Sequence, residues 1–154
     1  RLAHGRVLRA ETRAAMGTTH GAAVARTLGV GGARAEAASG YWSVRRYALP
    51  ALRAAYAATG DRERAALHAL WALVAQVDDS NLAWRGGRDG LVWARAQATR
   101  LMADGGALAA DWRQRAADLR AAFVARRLSP GGSADLLAVA FFLDALDGEA
   151  ARPW

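Results

Sequence analysis

The chain predicts an all-α domain of about six to eight helices, on three observations. Apolar residues recur at spacings of three and four along most of its length, no run alternates β-branched with polar residues, and alanine, the strongest helix former, supplies 41 of the 154 residues. That length suits a single domain over residues 1–154 with room for a sizeable core.

The elements follow from spacing and punctuation. Val7 to Met16 and Thr19 to Leu28 are Ala-rich and helical in pattern, and Ala33 to Ser39 forms a shorter helix. Leu49 to Thr59 is another, with Pro50 tolerated in its first turn. Gly60 and Asp61 break the chain before a helix running to Asp78, whose Leu67, Leu70, Trp71, Val74 and Val77 share one face. Asp89 is the expected N-cap of a helix from Leu91 to Ala103, with Leu91, Ala94, Ala98, Leu101 and Met102 inward and Gly105-Gly106 ending it. Leu108, Trp112, Leu119 and Phe123 mark a further helix that stops near Leu128, because Pro130 disfavours helical geometry in Ser129. The final helix begins after Gly132 with Ser133 as N-cap. Apolar nearly all round from Leu136 to Leu143, it is expected at the centre of the core.

Composition narrows the function. The absence of cysteine excludes disulfide scaffolds, thiolate catalysis and Cys-based zinc sites. The longest apolar stretch, Leu136 to Leu146, is too short to span a bilayer, and a cytoplasmic protein is expected. The net charge of +7 comes from 21 basic residues that are all arginine, spread along the chain with no run longer than pairs such as Arg45-Arg46 and Arg126-Arg127. No basic arm is available to wrap a duplex, so a compact anionic ligand suits the pattern better than nucleic acid does.

Three stretches carry more than folding requires. Gly29 to Ala37 leads glycines, among them Gly31 and Gly32, into a helix beside Arg34 and Glu36, a geometry that can present N–H groups to phosphate or simply turn the chain. Asp78-Asp79-Ser80-Asn81, followed by Arg85-Gly86-Gly87, places two carboxylates at a helix C-terminus, where the dipole costs each about 0.3–1 kcal/mol. Bound Mg²⁺ would reverse that cost, and a polar turn with local hydrogen bonds is the competing reading. Ser129-Pro130-Gly131-Gly132-Ser133-Ala134-Asp135 joins a tight turn to a helix start. Its paired glycines go beyond capping and point to close approach of a ligand or another helix. Among the histidines, His68 lies beside an apolar stripe and reads as structural, while His20, between Thr19 and Gly21, is a candidate acid, base or phosphate contact.

Taken in order, Thr19-His20-Gly21, Gly29 to Ala37, Ala48 to Arg53, Asp79-Ser80-Asn81-Leu82 with Arg85-Gly86-Gly87, and Leu128 to Ala138 resemble the triphosphoribosyl-dephospho-CoA synthase family. The most specific part is Ser-Pro-Gly-Gly-Ser-Ala-Asp-Leu-Leu. Ala35 replaces a family glycine, Gly40-Tyr41-Trp42 stands for Gly-Phe-Pro, and Ser80 stands for a threonine. The family's upstream Lys-Pro-Gly-Leu-Val and Asn-Thr-His-Arg-Gly segments are not present, so the chain resembles the C-terminal half of such an enzyme, and Arg1 is not an initiator methionine.

The resemblance implies a transferase that joins the triphosphoribosyl group of ATP to dephospho-CoA, releases adenine, and so makes the prosthetic-group precursor for the acyl carrier protein of malonate decarboxylase or citrate lyase. On that basis Asp78 and Asp79 are expected to hold Mg²⁺. His20, Gly31, Gly32, Arg34, Asn81, Arg85, Ser129, Gly131, Gly132 and Ser133 are expected to bind substrate and its phosphates, and Glu36 or Asp135 to transfer the proton. Neither spacing nor motif separates Glu36 from Asp135. A second copy or the N-terminal half is the expected protein partner. The competing classes are a non-catalytic Arg-rich helical module, whose binding would fall steeply with salt, and an inactive fragment of the synthase.

Overall fold

The computed structural model describes residues 31–147. The helices expected over Val7 to Met16 and Thr19 to Leu28 lie outside the described residues, as do His20 and the side chain of Arg34. Among the described residues every regular element is helical, as the periodicity predicts: α1 (Gly32–Ala38), a π-helical turn (Val44–Ala48), α2 (Leu49–Thr59), α3 (Arg62–Gln76), α4 (Ser80–Ala103), a 3₁₀ turn (Gly106–Leu108), α5 (Trp112–Ala125) and α6 (Gly131–Asp147).

Local chemistry explains the boundaries. Gly60 closes α2 in the left-handed region at φ 63°, and the Asp61 carboxylate caps α3 by accepting from the N–H groups of Glu63 (2.9 Å) and Arg64 (3.2 Å). Pro50 accounts for the π turn, which the sequence pattern did not disclose. In an α-helix its ring would collide with the carbonyl four residues back, and a wider turn, closed by the Leu49 N–H on the Val44 carbonyl, relieves that crowding.

Two expected boundaries change. The helix expected from Leu91 begins eleven residues earlier, at Ser80, with Asp79 rather than Asp89 as its cap; Asp89 is an exposed residue inside it. The stretch is nonetheless two helical segments joined by a sharp kink at Gly87, whose φ of 63° and ψ of −162° only glycine adopts readily, so the helix expected from Leu91 does follow an interruption. Likewise α6 begins at Gly131, so Ser133 is inside the helix and does not cap it, and Asp135 stands beyond the first turn.

The central helix is α3, not α6. It packs against α2, α4, α6 and both short turns, and buries Ala65, Ala69, Trp71, Leu73, Val74 and Ala75. α6 sits at the side, presenting Leu136 and Ala140 inward and leaving Phe142 and Leu146 more than half exposed. An all-round apolar pattern misleads here because the inward stripe itself includes polar residues, Ser133 and Asp144. Buried Asp144 is held by Arg53 of α2 at 2.6 Å, and the same guanidinium reaches Asp147 at 2.8 Å. These bonds raise the Arg53 pKa further and fasten α2 to α6.

His68 is structural, as expected. With Arg64 one helical turn away it grips the 3₁₀ turn. The Ala107 N–H donates to His68 Nδ1 at 3.3 Å, and Arg64 Nε donates to the Ala107 carbonyl at 2.9 Å. Burial lowers the His68 pKa below its ordinary 6.5. The unfolded chain therefore takes up this proton first, and stability should fall as pH drops from 6.5 toward the lowered value, levelling off below it. Urea midpoints from pH 8 to pH 5 check this: His68→Gln should flatten the slope in that window, and an unchanged slope would contradict the account.

Candidate active site at the junction of two helices

The chain leaves α3 through extended Val77 and Asp79, which turns Asp79 onto the start of α4. There its Oδ1 accepts from the N–H groups of Asn81 (2.9 Å) and Leu82 (3.2 Å). The same carboxylate also caps α6: Oδ1 accepts from the Gly132 N–H (3.3 Å), and Oδ2 from the Ser133 N–H (2.7 Å) and the Ser133 Oγ–H (2.9 Å). With 1% of its surface exposed, Asp79 is an anion enclosed by five donors at the positive ends of two helices.

The paired glycines follow from this arrangement. A Cβ on Gly132 would lie 3.0 Å from Asp79 Oδ1, and one on Gly131 would run into the Asn81 side chain. Their close approach is to another helix. Further along, Leu128 seats a methyl group against Gly86 and Gly90, where added Cβ atoms would lie 2.5 and 3.1 Å from its Cδ2. The segment from Leu128 to Ser133 is thus laid along the N-terminal part of α4, against Gly90 and Gly86, then Asn81, then Asp79.

This placement revises several expectations. The N–H groups of Gly132 and Ser133 are directed at Asp79 rather than at a phosphate. Asp79 does not fit Mg²⁺, since an octahedral cation requires free carboxylate oxygens and those of Asp79 carry five hydrogens. Asp78 does not join it in a pair of ligands but points its Oδ1 at Arg95 Nη1, 2.6 Å away. Among the described residues, no group of three or more histidine, aspartate or glutamate side chains is placed to hold a metal ion.

The other expected residues are distributed as follows. Asn81, Arg85, Ser129 and Asp135 are exposed at or near the junction, Asn81 and Arg85 one helical turn apart on α4. Glu36 is occupied elsewhere: its Oε1 accepts from Ser43 Oγ–H at 2.6 Å and its Oε2 from the Ser43 N–H at 3.0 Å, which ties α1 to the helical stretch entering the π turn. Gly31 precedes α1, a helix of only seven residues that packs on α6. On the far side of Leu128 an apolar groove of about 530 Å³ separates α3 from α5; Leu67, Leu70, Trp71 and Phe123 line it, and Ser129 and Pro130 close one end. The role of Leu128 was not foreseen. Its signal was the cluster of Gly86, Gly87 and Gly90 inside an otherwise helical run.

Fold and site define an all-helical protein whose motif residues gather where one carboxylate joins two helix starts. The family model for ATP:dephospho-CoA triphosphoribosyl transferase matches residues 3–153, and the chain belongs to that family. It is 44% identical over 125 residues to a 2-(5''-triphosphoribosyl)-3'-dephosphocoenzyme-A synthase of Klebsiella pneumoniae, covering 81% of this chain and 41% of that one. Probable synthases of the same name from Acinetobacter calcoaceticus (42% over 125 residues; 81% and 43% covered) and Pectobacterium carotovorum (49% over 115; 75% and 36%) are also similar. The chain spans about two-fifths of the length of these relatives. No solved structure matches it.

Proposed function

We propose that this chain contributes to the site that transfers the triphosphoribosyl group of ATP to dephospho-CoA, with release of adenine. The observation that supports this reading is the union of two motif segments through Asp79, with Asn81, Arg85, Ser129 and Asp135 exposed on those segments. In the reaction a ribose hydroxyl of dephospho-CoA attacks the anomeric carbon of the ATP ribose. The bond from that carbon to adenine breaks, the hydroxyl proton passes to a base, and adenine leaves with a proton supplied to its ring. The transition state is oxocarbenium-like.

Asp135 is the better candidate for the proton-transferring carboxylate, because both oxygens of Glu36 are already bound to Ser43. Arg85 would hold phosphate, and Asn81 and Ser129 would orient the sugar. The product would be the prosthetic-group precursor for the acyl carrier protein of malonate decarboxylase or citrate lyase. No helix of the described residues is long and apolar enough to cross a membrane, which is compatible with work on soluble nucleotides.

Adenine release from ATP and dephospho-CoA, followed by chromatography, tests the reading with this chain alone and with a full-length synthase that contains it. The expected result is adenine together with one equivalent of coupled coenzyme from the full-length enzyme, reduced at least about tenfold in Arg85→Ala and Asp135→Asn. Absence of adenine from both would contradict it.

A further inference from the structure

Four arginines stand around the bend of α4. Arg85 and Arg88 flank Gly86-Gly87, and Arg126 and Arg127 end α5; all four are exposed. The packing of Leu128 sets the chain leaving α5 against the bend, since its methyl group occupies the space left by the missing side chains of Gly86 and Gly90. Arg126 is also fixed on α4, farther along, its guanidinium carbon 4.4 Å from the centre of the Trp93 ring, and Trp93 in turn packs on Phe123 of α5. Among the described residues, no carboxylate lies within ion-pair distance of any of the four. Asp89 is the acid within this stretch, leaving an excess of three positive charges.

Arg127 adds a second observation. Its φ of 54° places it in the left-handed region at the end of α5, where the Leu128 N–H donates to the Phe123 carbonyl and the Arg127 N–H to the Val124 carbonyl, both at 2.9 Å. Glycine is the usual residue for this closure. An arginine is held in a costly conformation immediately before Leu128, the residue that seats on the bend.

We propose that this edge binds a polyphosphate chain, specifically the triphosphate of the nucleotide substrate, with Arg88, Arg126 and Arg127 acting beside Arg85. This rests on the transfer reading above and assigns its most highly charged group a location. Guanidinium groups suit the task because they form paired hydrogen bonds to phosphate oxygens and remain charged at every working pH. The edge also borders Ser129, so a triphosphate lying there would bring its ribose toward the helix junction.

Calorimetric titration with inorganic tripolyphosphate, ATP and dephospho-CoA tests the proposal on the wild type, Arg127→Gly and Arg113→Ala. Arg113 is stacked on Trp112 at the opposite end of α5, about 20 Å away, and serves as the control. Arg127→Gly should weaken tripolyphosphate and ATP binding by about five- to tenfold. Its melting temperature should rise, since glycine relieves the backbone, so the loss cannot come from unfolding. Arg113→Ala should bind as the wild type does. Equal binding by Arg127→Gly, equal loss in Arg113→Ala, a larger effect on dephospho-CoA than on tripolyphosphate, or no tripolyphosphate binding at all would overturn the proposal. The two readings separate cleanly. Arg127-dependent binding without adenine release by the full-length enzyme would leave the edge and remove the transfer reading, whereas adenine release with an unchanged KM for ATP in Arg127→Gly would do the reverse.

Discussion

Asp79→Asn should destabilise the fold by about 2–4 kcal/mol, read as a lower urea midpoint with an unchanged denaturant slope. The substitution is nearly isosteric, and its effect lies in the hydrogens. Oδ2 of Asp79 accepts from both the backbone N–H and the hydroxyl of Ser133, and Oδ1 accepts from three more N–H groups. An amide can present an acceptor on one side only. Either the α4 cap or the α6 cap then faces an N–H group, and in a site with 1% exposure no solvent is present to compensate. A metal-ligand role would predict something different: stability nearly unchanged without added metal, and loss of a metal-dependent increment. If Asp79→Asn melts with the wild type in EDTA, the capping role is wrong.

Leu128→Ala should cost about 2–4 kcal/mol, comparable to other large-to-small changes in buried positions. Leu128 is 8% exposed and packs into the cluster of Val74, Leu82, Leu91 and Phe123 while filling the two glycine positions on α4. Removing it leaves a void between the bend and the apolar groove, with no neighbouring Cβ at Gly86 or Gly90 to close it. Gly86→Ala combined with Leu128→Ala should recover part of the loss, because the added methyl enters the vacated space. Strict additivity of the two changes, measured by urea denaturation, would show that Leu128 and Gly86 do not share this contact.

The sequence made helices legible wherever the signal was local. Asp61 and Gly60 act through neighbours two to four residues away, and the stripe of Leu67, Leu70, Trp71, Val74 and Val77 needs only the period of the helix itself. What escaped notice depends on partners far along the chain. Ser133 resembles an N-cap, yet the cap of its helix is supplied by Asp79, 54 residues upstream. The Arg53 contact to Asp144 spans 91 residues; its only trace in the sequence is one acid on the inward stripe of an apolar helix, two turns beyond Leu136. The kink at Gly87 falls just before the helix expected from Leu91, whereas the room that Gly86 and Gly90 make for Leu128 depends on a residue far along the chain that no local pattern identifies.

The candidate site shows the same division. Motif order led to the family and singled out Asp79, Asn81, Gly131, Gly132 and Ser133 together, and the structure places them in contact. Their tasks were not legible, because an acid next to a Gly-rich turn has the same composition whether it holds a metal ion or two helix starts. Only the direction of the hydrogens distinguishes the cases, and these point from α4 and α6 onto Asp79.

A double-mutant cycle between Asp79→Asn and Ser133→Ala, measured by urea unfolding, tests most directly whether one carboxylate joins the two motif segments. Coupling of about 1 kcal/mol or more is expected, because once either partner is changed the other has lost its hydrogen bond. Additivity within about 0.3 kcal/mol would mean that the two segments are held together by something other than Asp79.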